Sequence, residues 1–267
     1  MTAIHEFSHA IVREPPRSVI DGLRENEAQQ PDFEKLLAEH KAYKAALRQA
    51  GVQLIELDAL EAFPDSLFVE DPALVFSAGA IVLRSGAPSR RGEADAITPV
   101  LNSHFEAVQH LPENCFVDGG DVLVTPTEVL IGLSERTNEV GGNALRACLK
   151  KIGIDSRLVH TPPGVLHFKS DCSLLSDTQV LSTRRLADSG VFDHLETILV
   201  DDAELTAANA LRINDTLLLA SGHPGTHQKL TALGFEVVEL ATQEITKVDA
   251  GLSCMSLRWK KNVAPQS

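Results

Sequence analysis

Residues 73–84 read ALVFSAGAIVLR, two short apolar runs that turn at Gly79, and this pattern predicts a β-hairpin. A stretch with helical apolar spacing follows within residues 92–108. Farther along the chain, the order of hairpin, helix and one more strand returns several times. The repeated element is therefore a ββαβ unit.

The next unit shows all four elements. Its hairpin, DVLVTPTEVLIGL (121–133), turns around Pro126 and is followed by a helix near 138–152 and a strand at 156–160. Two later units follow the same order. The first begins with the hairpin CSLLSDTQVLST (172–183) and, after a helix, ends with a strand at 197–200. The second begins with the hairpin ALRINDTLLLA (210–220), continues with a helix near 224–233 and ends with a strand at 236–240.

A fifth unit is split between the two ends of the chain. The last strand-like run, SCMSLRWK (253–260), has no partner downstream, and the first, HAIVRE (9–14), has none upstream. The helix at 32–49 and the strand VQLIEL (52–57) complete this unit. We therefore predict a five-bladed α/β propeller of pseudo-symmetric ββαβ units, closed by the N- and C-terminal strands. An open mixed α/β sheet is the alternative.

Length and composition fit this interpretation. A chain of 267 residues suits one large domain or two small ones, and five units in one ring favour a single catalytic domain over residues 1–267. Hydrophobic residues make up 43% of the chain and charged residues 23%, which excludes disorder as the main state.

The charge balance bears on the class of partner. With 37 acidic against 24 basic residues, the net charge of −13 argues against a nucleic-acid binder, which needs basic surface. It is compatible with a cationic substrate, although an acidic surface more often serves solubility alone. Neither a secretion signal nor a run long enough for a membrane span is evident, so we expect a cytoplasmic protein that contacts no membrane.

The four cysteines must be judged one by one, because they form no CxxC pair and no zinc-like cluster. We therefore expect no metal. Cys148 falls on a helical apolar stripe and Cys172 opens a hairpin, so both are interpreted as packing residues. Cys254 lies in GLSCMSLR, a strand-like segment that is more polar than a core strand needs. An inert buried thiol and a nucleophile both remain open for Cys254.

His167 is the matching candidate for acid/base chemistry. It follows a Pro-Pro-Gly turn and an apolar pair, and we expect it to end a strand at a loop. Imidazole titrates near neutral pH, which makes a histidine usable as a proton donor and acceptor. A structural or merely exposed histidine is the competing interpretation.

Acidic and basic side chains cluster in three further places. The segment FPDSLFVEDPALV (63–75) carries Asp65, Glu70 and Asp71, which would repel one another without a cation among them. Asp118 and Asp121 bracket two glycines, where backbone can approach a ligand closely. A solvated loop and a simple turn are the alternatives. Arginines, whose planar fork suits a carboxylate, follow strands at Arg90, Arg91 and Arg136.

The joint placement of these residues is more informative than any one of them. Residues 65–71, 118–121, 167 and 254 all stand at the beginnings of hairpin units, and equivalent positions in a ring converge on its axis. Carboxylates, a histidine, a cysteine and arginines would then meet in one pocket. Such a pocket suits an amino acid with a guanidinium side chain.

The sequence resembles the dimethylarginine dimethylaminohydrolases of the guanidino-group-modifying superfamily, which form five-bladed α/β propellers. The resemblance rests on motifs that run in family order over nearly the whole chain. These are RSVIDGL (17–23), FPDSLFVEDPALV (63–75), GAPSRRGE (86–93), DGGDVL (118–123), GLSERTN (132–138), VLHFKS (165–170), AAN (207–209) and VDAGLSCMSLR (248–258).

The resemblance implies hydrolysis of Nω-monomethyl- and asymmetric dimethylarginine to citrulline and an amine through a covalent thiouronium on Cys254. His167 would be the proton donor and Asp118 the acid that orients it, although some members carry Glu at this third position. No cofactor is implied. The partner would be a small molecule, and a homodimer is left open.

The same resemblance implies the residues that surround the substrate. Asp65, Glu70 and Asp71 would lie around the guanidinium, with Asp71 as its direct clamp. Arg90 and Arg136 would hold the α-carboxylate. Leu23, on a mobile lid, and Val248 would contact the α-amino end through their carbonyl groups. The full set is Leu23, Asp65, Glu70, Asp71, Arg90, Arg136 and Val248.

Two rival functions remain open. Arginine and agmatine deiminases of the superfamily carry Asp two residues after the histidine, where this chain has Lys169, and arginine deiminases also carry an extra helical domain. A non-catalytic amino-acid-binding protein would need the pocket but not the Cys254 and His167 pair.

Overall fold

The computed structural model describes residues 4–261, and its strands form five separate three-stranded sheets. Each sheet joins an antiparallel pair to a third, parallel strand, as a ββαβ unit requires. In the sheet that starts at Ala73–Phe76, this strand pairs antiparallel with Gly79–Val82, which pairs parallel with Val108–His110. The open mixed sheet is excluded for the described residues, and the propeller prediction is confirmed.

The strands follow one another in the predicted order. They are β1 (His9–Arg13), β2 (Gln53–Leu57), β3 (Ala73–Phe76), β4 (Gly79–Val82), β5 (Val108–His110), β6 (Val122–Val124), β7 (Val129–Leu133), β8 (Ser156–His160), β9 (Cys172–Leu174), β10 (Gln179–Ser182), β11 (Glu196–Leu199), β12 (Leu211–Ile213), β13 (Thr216–Ala220), β14 (Glu236–Leu240) and β15 (Leu257–Trp259).

The helices lie between the second and third strands of the units, apart from one short helix near the C-terminus. They are α1 (Phe33–Gln49), α2 (Glu93–His104), α3 (Glu139–Lys151), α4 (Arg184–Ala187), α5 (Pro224–Ala232) and α6 (Gln243–Thr246). Asp32 caps α1 by accepting the Lys35 amide, and Asn138 caps α3 by accepting the Gly141 amide. None of the helices in residues 4–261 has the length and apolar character needed to cross a membrane.

The predicted split unit closes the ring. Strand β1 pairs antiparallel with β15, with Ile11 opposite Leu257, and parallel with β2, with Ile11 opposite Ile55. The two ends of the described chain therefore share one sheet. Pairing them removes two exposed strand edges, each of which would otherwise offer unpaired backbone groups.

The hydrophobic core is divided among the sheets and the helices packed on them. In one cluster Ile11 and Trp259 of the split unit pack against Val82 and Ile97 of the next unit. The apolar side chains thus pack between neighbouring units. The segments that lead into each first strand lie at the centre of the ring.

Four of these segments contain a short 3₁₀ turn, and we call them the central turns. They are Gly119–Asp121, Phe168–Ser170, Leu205–Ala208 and Leu252–Met255. The corresponding segment of the remaining unit, residues 65–71, is a run of turns before β3.

Two local predictions were wrong. Cys254 lies in the turn Leu252–Met255, and the strand begins only at Leu257, because Cys254 N–H donates to Gly251 O at 3.3 Å instead of to a neighbouring strand. His167 does not end a strand either. Strand β8 ends at His160, and His167 O accepts the Ser170 amide at 2.9 Å to start the next central turn.

Candidate active site

Cys254 is the one cysteine of the described chain that is not fully buried, since Cys115, Cys148 and Cys172 all lie in the core. Its carbonyl accepts the Glu70 amide at 3.1 Å, which ties the Cys254 turn to the segment 65–71. Burial raises the pKa of the Cys254 thiol to about 12, and the Glu70 and Asp71 carboxylates add to the shift. Without a ligand the thiol is therefore protonated at neutral pH.

His167 stands one residue before its central turn, with Nε2 3.1 Å from Asp118 Oδ2. Burial alone would lower the pKa of His167, but the hydrogen bond to Asp118 and the charges of Asp121 and Asp71 raise it to about 9. His167 is therefore an imidazolium at neutral pH and carries a proton that it can give away. Within residues 4–261 no hydrogen bond joins His167 to Cys254 Sγ, so its geometry suits proton donation to a third group.

Asp118 and Asp121 have different tasks. Asp118 is fully buried, accepts the Gly86 amide on Oδ1 at 3.1 Å, and presents Oδ2 to His167. Asp121 accepts the Phe168 amide at 2.9 Å on Oδ1 and the hydroxyl of Thr137 at 2.6 Å on Oδ2. Asp121 therefore fixes the turn that follows His167, while Asp118 contacts the imidazole of His167.

Asp71 reaches the same place from the neighbouring segment. Its Oδ1 accepts the Gly120 amide at 2.9 Å, and its Oδ2 forms an ion pair with Arg90. Burial alone would raise the pKa of Asp71, but the charges of Arg90 and His167 and the hydrogen bonds from Arg90 and Gly120 together lower that pKa to about 2. A Cβ on Gly120 would lie 3.0 Å from His167 Cγ and 3.1 Å from Asp71 Oδ1. The glycine thus leaves the space in which Asp71 and His167 approach each other.

Arg90 is almost completely enclosed, with 5% of its side chain exposed. Besides Asp71 it binds Glu93 through Nε at 3.0 Å and Nη2 at 2.8 Å, and Nη2 also donates to the carbonyls of Asp65 and Phe68. These contacts make Arg90 the counter-ion of Asp71. Its assignment to a substrate carboxylate stays a prediction. Glu93 went unnoticed in the sequence, although it stands three residues after Arg90 in SRRGE.

Arg136 is the more open of the two arginines, with 20% of its side chain exposed and Nη1 3.9 Å from Asp118 Oδ2. Its guanidinium borders the His167–Asp118 pair from the solvent side. This placement is compatible with its predicted role as the anchor of a carboxylate, and that role too stays a prediction.

Leu23, Asp65 and Val248 lie together at the edge of the site. Asp65 Oδ1 accepts the Leu23 amide at 3.0 Å, and a Cβ on Gly22 would lie 3.5 Å from a methyl group of Val248. Leu23 itself is 37% exposed. The predicted lid residue is thus held against the acid Asp65, whose pKa is raised by burial.

The segment predicted to be a lid has a second attachment that the sequence did not reveal. Asp249 Oδ2 accepts the Glu25 amide at 2.6 Å. Asp249 has a φ of +52°, a left-handed conformation in which Asp is tolerated better than most residues. Its only signal in the sequence was its place next to Val248 in the motif VDAGLSCMSLR.

Glu70 is already paired inside the protein. Its Oε1 lies 2.6 Å from Lys169 Nζ and 3.0 Å from Arg258 Nη2, and its Oε2 accepts the Ser253 hydroxyl at 3.0 Å. These residues also line a cavity of about 640 Å³, whose walls do not include Cys254, His167 or Asp71. A direct contact of Glu70 with a guanidinium stays a prediction. Its observed contacts lie beneath the Cys254 turn.

The best candidate ligand set for a metal ion in the described chain is Asp71, Asp118 and His167, whose ligand atoms all lie within 4.8 Å of one another. Each of these groups already has a protein partner: Asp71 binds Arg90, and Asp118 binds His167. A cation here would have to compete with a guanidinium and an imidazolium. The arrangement fits proton transfer to a bound cation better than metal coordination.

The sequence is similar to proteins of one enzyme family. Residues 17–161 match the family model described as N,N dimethylarginine dimethylhydrolase, eukaryotic. The chain is 36% identical over 254 residues to an N(G),N(G)-dimethylarginine dimethylaminohydrolase from Pseudomonas aeruginosa, which covers 95% of this chain and 100% of that protein.

Two solved structures superpose closely, each with a TM-score of 0.92 and 36% identity. One is a cysteine-to-serine mutant of DDAH from Pseudomonas aeruginosa complexed with citrulline, and it covers 95% of this chain and 99% of that chain. The other is a histidine-to-glycine dimethylarginine dimethylaminohydrolase as an adduct with S-methyl-L-thiocitrulline, covering 94% and 99%.

Proposed function

The chain belongs to the dimethylarginine dimethylaminohydrolase family, and we propose that it hydrolyses Nω-monomethyl- and asymmetric dimethylarginine to citrulline and methylamine or dimethylamine. One observation carries the proposal at the level of this chain. A protonated His167 held by Asp118 and a thiol on Cys254 both border the ionised carboxylate of Asp71. Asp71 has Arg90 as its counter-ion, but Asp71 and Glu70 still act on Cys254 as nearby negative charges, which a cationic group between the two reacting side chains would offset.

Substrate binding prepares the nucleophile. A guanidinium beside Asp71 places a positive charge next to Cys254, which opposes burial and the acids that raise the pKa of the thiol. The thiol then loses its proton to solvent as the cation binds. A thiolate is needed because the guanidinium carbon is a poor electrophile.

The reaction then runs in two halves. Cys254 Sγ forms a bond to the guanidinium carbon, the bond from this carbon to the methylated nitrogen breaks, and His167 donates its proton to the departing amine. The product of this half is a thiouronium on Cys254. Neutral His167 next accepts a proton from water, whose oxygen attacks the same carbon. The C–S bond then breaks to release the thiolate, and the remaining hydroxyl proton passes to solvent to give citrulline.

Methylated substrates are preferred over arginine in this account. In the deiminases the residue two positions after the histidine is an acid that pairs the second guanidino nitrogen. Lys169 stands there instead and binds Glu70 at 2.6 Å. Unmethylated arginine would leave N–H donors poorly satisfied on that side, which costs on the order of 1–3 kcal/mol. Methyl groups have no donors to satisfy there.

The test is citrulline formation from four compounds: asymmetric dimethylarginine, monomethylarginine, symmetric dimethylarginine and arginine. We expect kcat/KM to be highest for the first two, with symmetric dimethylarginine rejected because its clamped nitrogen is also methylated. Arginine as the best substrate would favour the deiminase alternative. Binding of dimethylarginine without any citrulline would favour the non-catalytic binding protein.

Two further expectations belong to the proposal, a single catalytic domain over residues 1–267 and a cytoplasmic location. A homodimer is left open. Light scattering on the purified protein would tell a dimer from a monomer, and cell fractionation would test the location.

A further inference from the structure

Asn209 stands in the unit of the central turn Leu205–Ala208. Glu204, the acid one residue before this turn, binds the amides of Gly225 and Thr226. Asn209 directly follows that turn and is buried, with 9% of its surface exposed. The motif AAN (207–209) contributes to the family resemblance, which implied no role for Asn209. Its side chain is nevertheless fully engaged.

The amide of Asn209 joins two other central turns. Nδ2 donates to Lys169 O at 2.9 Å, in the turn that follows His167. On the opposite side, Oδ1 accepts the Ser253 amide at 3.0 Å, and Nδ2 lies 3.2 Å from Ser253 Oγ, one residue before Cys254. One planar group therefore links the backbone of the His167 turn to the backbone of the Cys254 turn.

The link is part of a closed circuit beneath Cys254. Ser253 Oγ donates to Glu70, Glu70 binds Lys169 Nζ, and the Lys169 carbonyl accepts Asn209. A Cβ on Gly251 would lie 2.6 Å from Asn209 Cγ, so the glycine at this place allows the amide to reach Ser253. Every polar atom of the Asn209 side chain has a partner in the circuit.

We propose that Asn209 is a positioning residue that sets the distance and orientation of Cys254 relative to His167. The proposal rests on the proposed function, because it assigns a consequence for turnover to that pair. No direct hydrogen bond joins Cys254 Sγ and His167 in the described chain, so their alignment depends on how the two turns are held. Misplacement of reacting groups by about 1 Å can cost on the order of 100-fold in rate.

The test compares Asn209→Ala with Asn214→Ala. Asn214 lies in the same unit and also makes three hydrogen bonds, to Phe7 N, Phe7 O and Ala50 O, all far from the central turns. We expect Asn209→Ala to lower kcat for dimethylarginine by about 10- to 100-fold with KM within about threefold. Asn214→Ala should lower the melting temperature at least as much and leave kcat within about twofold.

A second readout does not depend on turnover. Chloroacetamidine is a cation that would sit beside Asp71 before Cys254 displaces its chloride, whereas iodoacetamide is neutral and needs no such alignment. Alkylation at Cys254, followed by mass spectrometry, should become about tenfold slower in Asn209→Ala for chloroacetamidine only. Asn214→Ala should resemble the wild-type protein with both reagents.

The outcomes separate the two proposals. If wild-type protein makes no citrulline, the proposed function fails, and the alkylation ratio still decides the role of Asn209. If Asn209→Ala matches Asn214→Ala in both readouts, the positioning role is wrong. Should Asn209→Ala fail to fold, Asn209→Asp keeps the acceptor for the Ser253 amide and loses the Nδ2 donor, which serves both Lys169 O and Ser253 Oγ. A wild-type kcat and alkylation ratio in Asn209→Asp would overturn the proposal equally.

Discussion

The His167 turn and the Cys254 turn present two reacting groups to the same axis, and acids surround both. Around His167 these acids hold a proton on a base, and the pKa of the ring reaches about 9. Around Cys254 burial and acids hold a proton on a thiol, whose pKa reaches about 12. The same kind of environment therefore leaves His167 able to donate a proton and keeps Cys254 from being a thiolate.

A cationic substrate changes this balance unequally. Its charge lowers the pKa of both groups, because it favours the thiolate and opposes the imidazolium. His167 starts well above neutral pH and keeps its proton after a moderate decrease. Cys254 must undergo a much larger decrease, and the substrate guanidinium at Asp71 is the group placed to cause it. Under the proposed function, the substrate therefore ionises Cys254 while His167 keeps its proton.

The largest expected effect comes from removing the nucleophile. Cys254→Ser should lower kcat by roughly three or more powers of ten, because a hydroxyl of far higher pKa cannot form the anion. Substrate binding should survive, as a calorimetric titration with dimethylarginine would show. Residual activity above a few per cent in a clean preparation would remove Cys254 from the mechanism.

Removing the other partner should cost less. His167→Gly should lower kcat by roughly 10²–10⁴-fold, because the departing amine then lacks its proton donor. Added imidazole should restore part of the rate. A variant with wild-type kcat across neutral pH would show that the histidine is not the acid.

Arg136→Ala tests the solvent side of the His167 turn. It should weaken substrates that carry an α-carboxylate by about 2–5 kcal/mol in kcat/KM, the cost of removing one partner of a buried charge pair. Methylated guanidines without the carboxylate should hardly respond. Equal losses for both classes of compound would mean that Arg136 supports the fold instead of contacting the ligand.

The smallest of these effects concerns Asp118. The imidazolium of His167 is present below its pKa of about 9, so kcat/KM should fall as the pH rises through this value. Asp118→Asn removes the largest factor that raises that pKa, and the falling limb should move to lower pH, with a rate loss on the order of tenfold at neutral pH. A pH profile recorded for both proteins measures the shift, and identical limbs would contradict the assignment.

The fold was predictable because hydrophobic periodicity and turn residues determine the sheets. The hairpins at 73–84 and 121–133 were found close to their bounds, and even the split unit followed from two unpaired strands. The central turns were less predictable. Polar residues such as Cys254 and His167 could be assigned to the axis, but a 3₁₀ turn is held by a few local hydrogen bonds that leave no period in the sequence.

The contacts within the site were the least predictable. Arg90 is enclosed by Asp71 and Glu93, contacts that no sequence pattern indicated, and its assignment to a ligand carboxylate stays a prediction. Glu70 is likewise paired with Lys169, and its expected place beside the guanidinium stays a prediction. The Glu70 and Lys169 side chains come together from different units. The spacing of residues along the chain does not predict which acid pairs with which base.

The most direct test of the account is the ionisation of Cys254 in the free protein. Ultraviolet absorbance of the thiolate, recorded against pH and corrected with Cys254→Ser, gives the fraction ionised without any substrate. We expect almost no Cys254 thiolate at pH 7, in protein that nevertheless turns over dimethylarginine at that pH. A free thiolate with its midpoint at or below pH 7 would contradict the account, because Cys254 would then be ionised without the help of a cationic substrate.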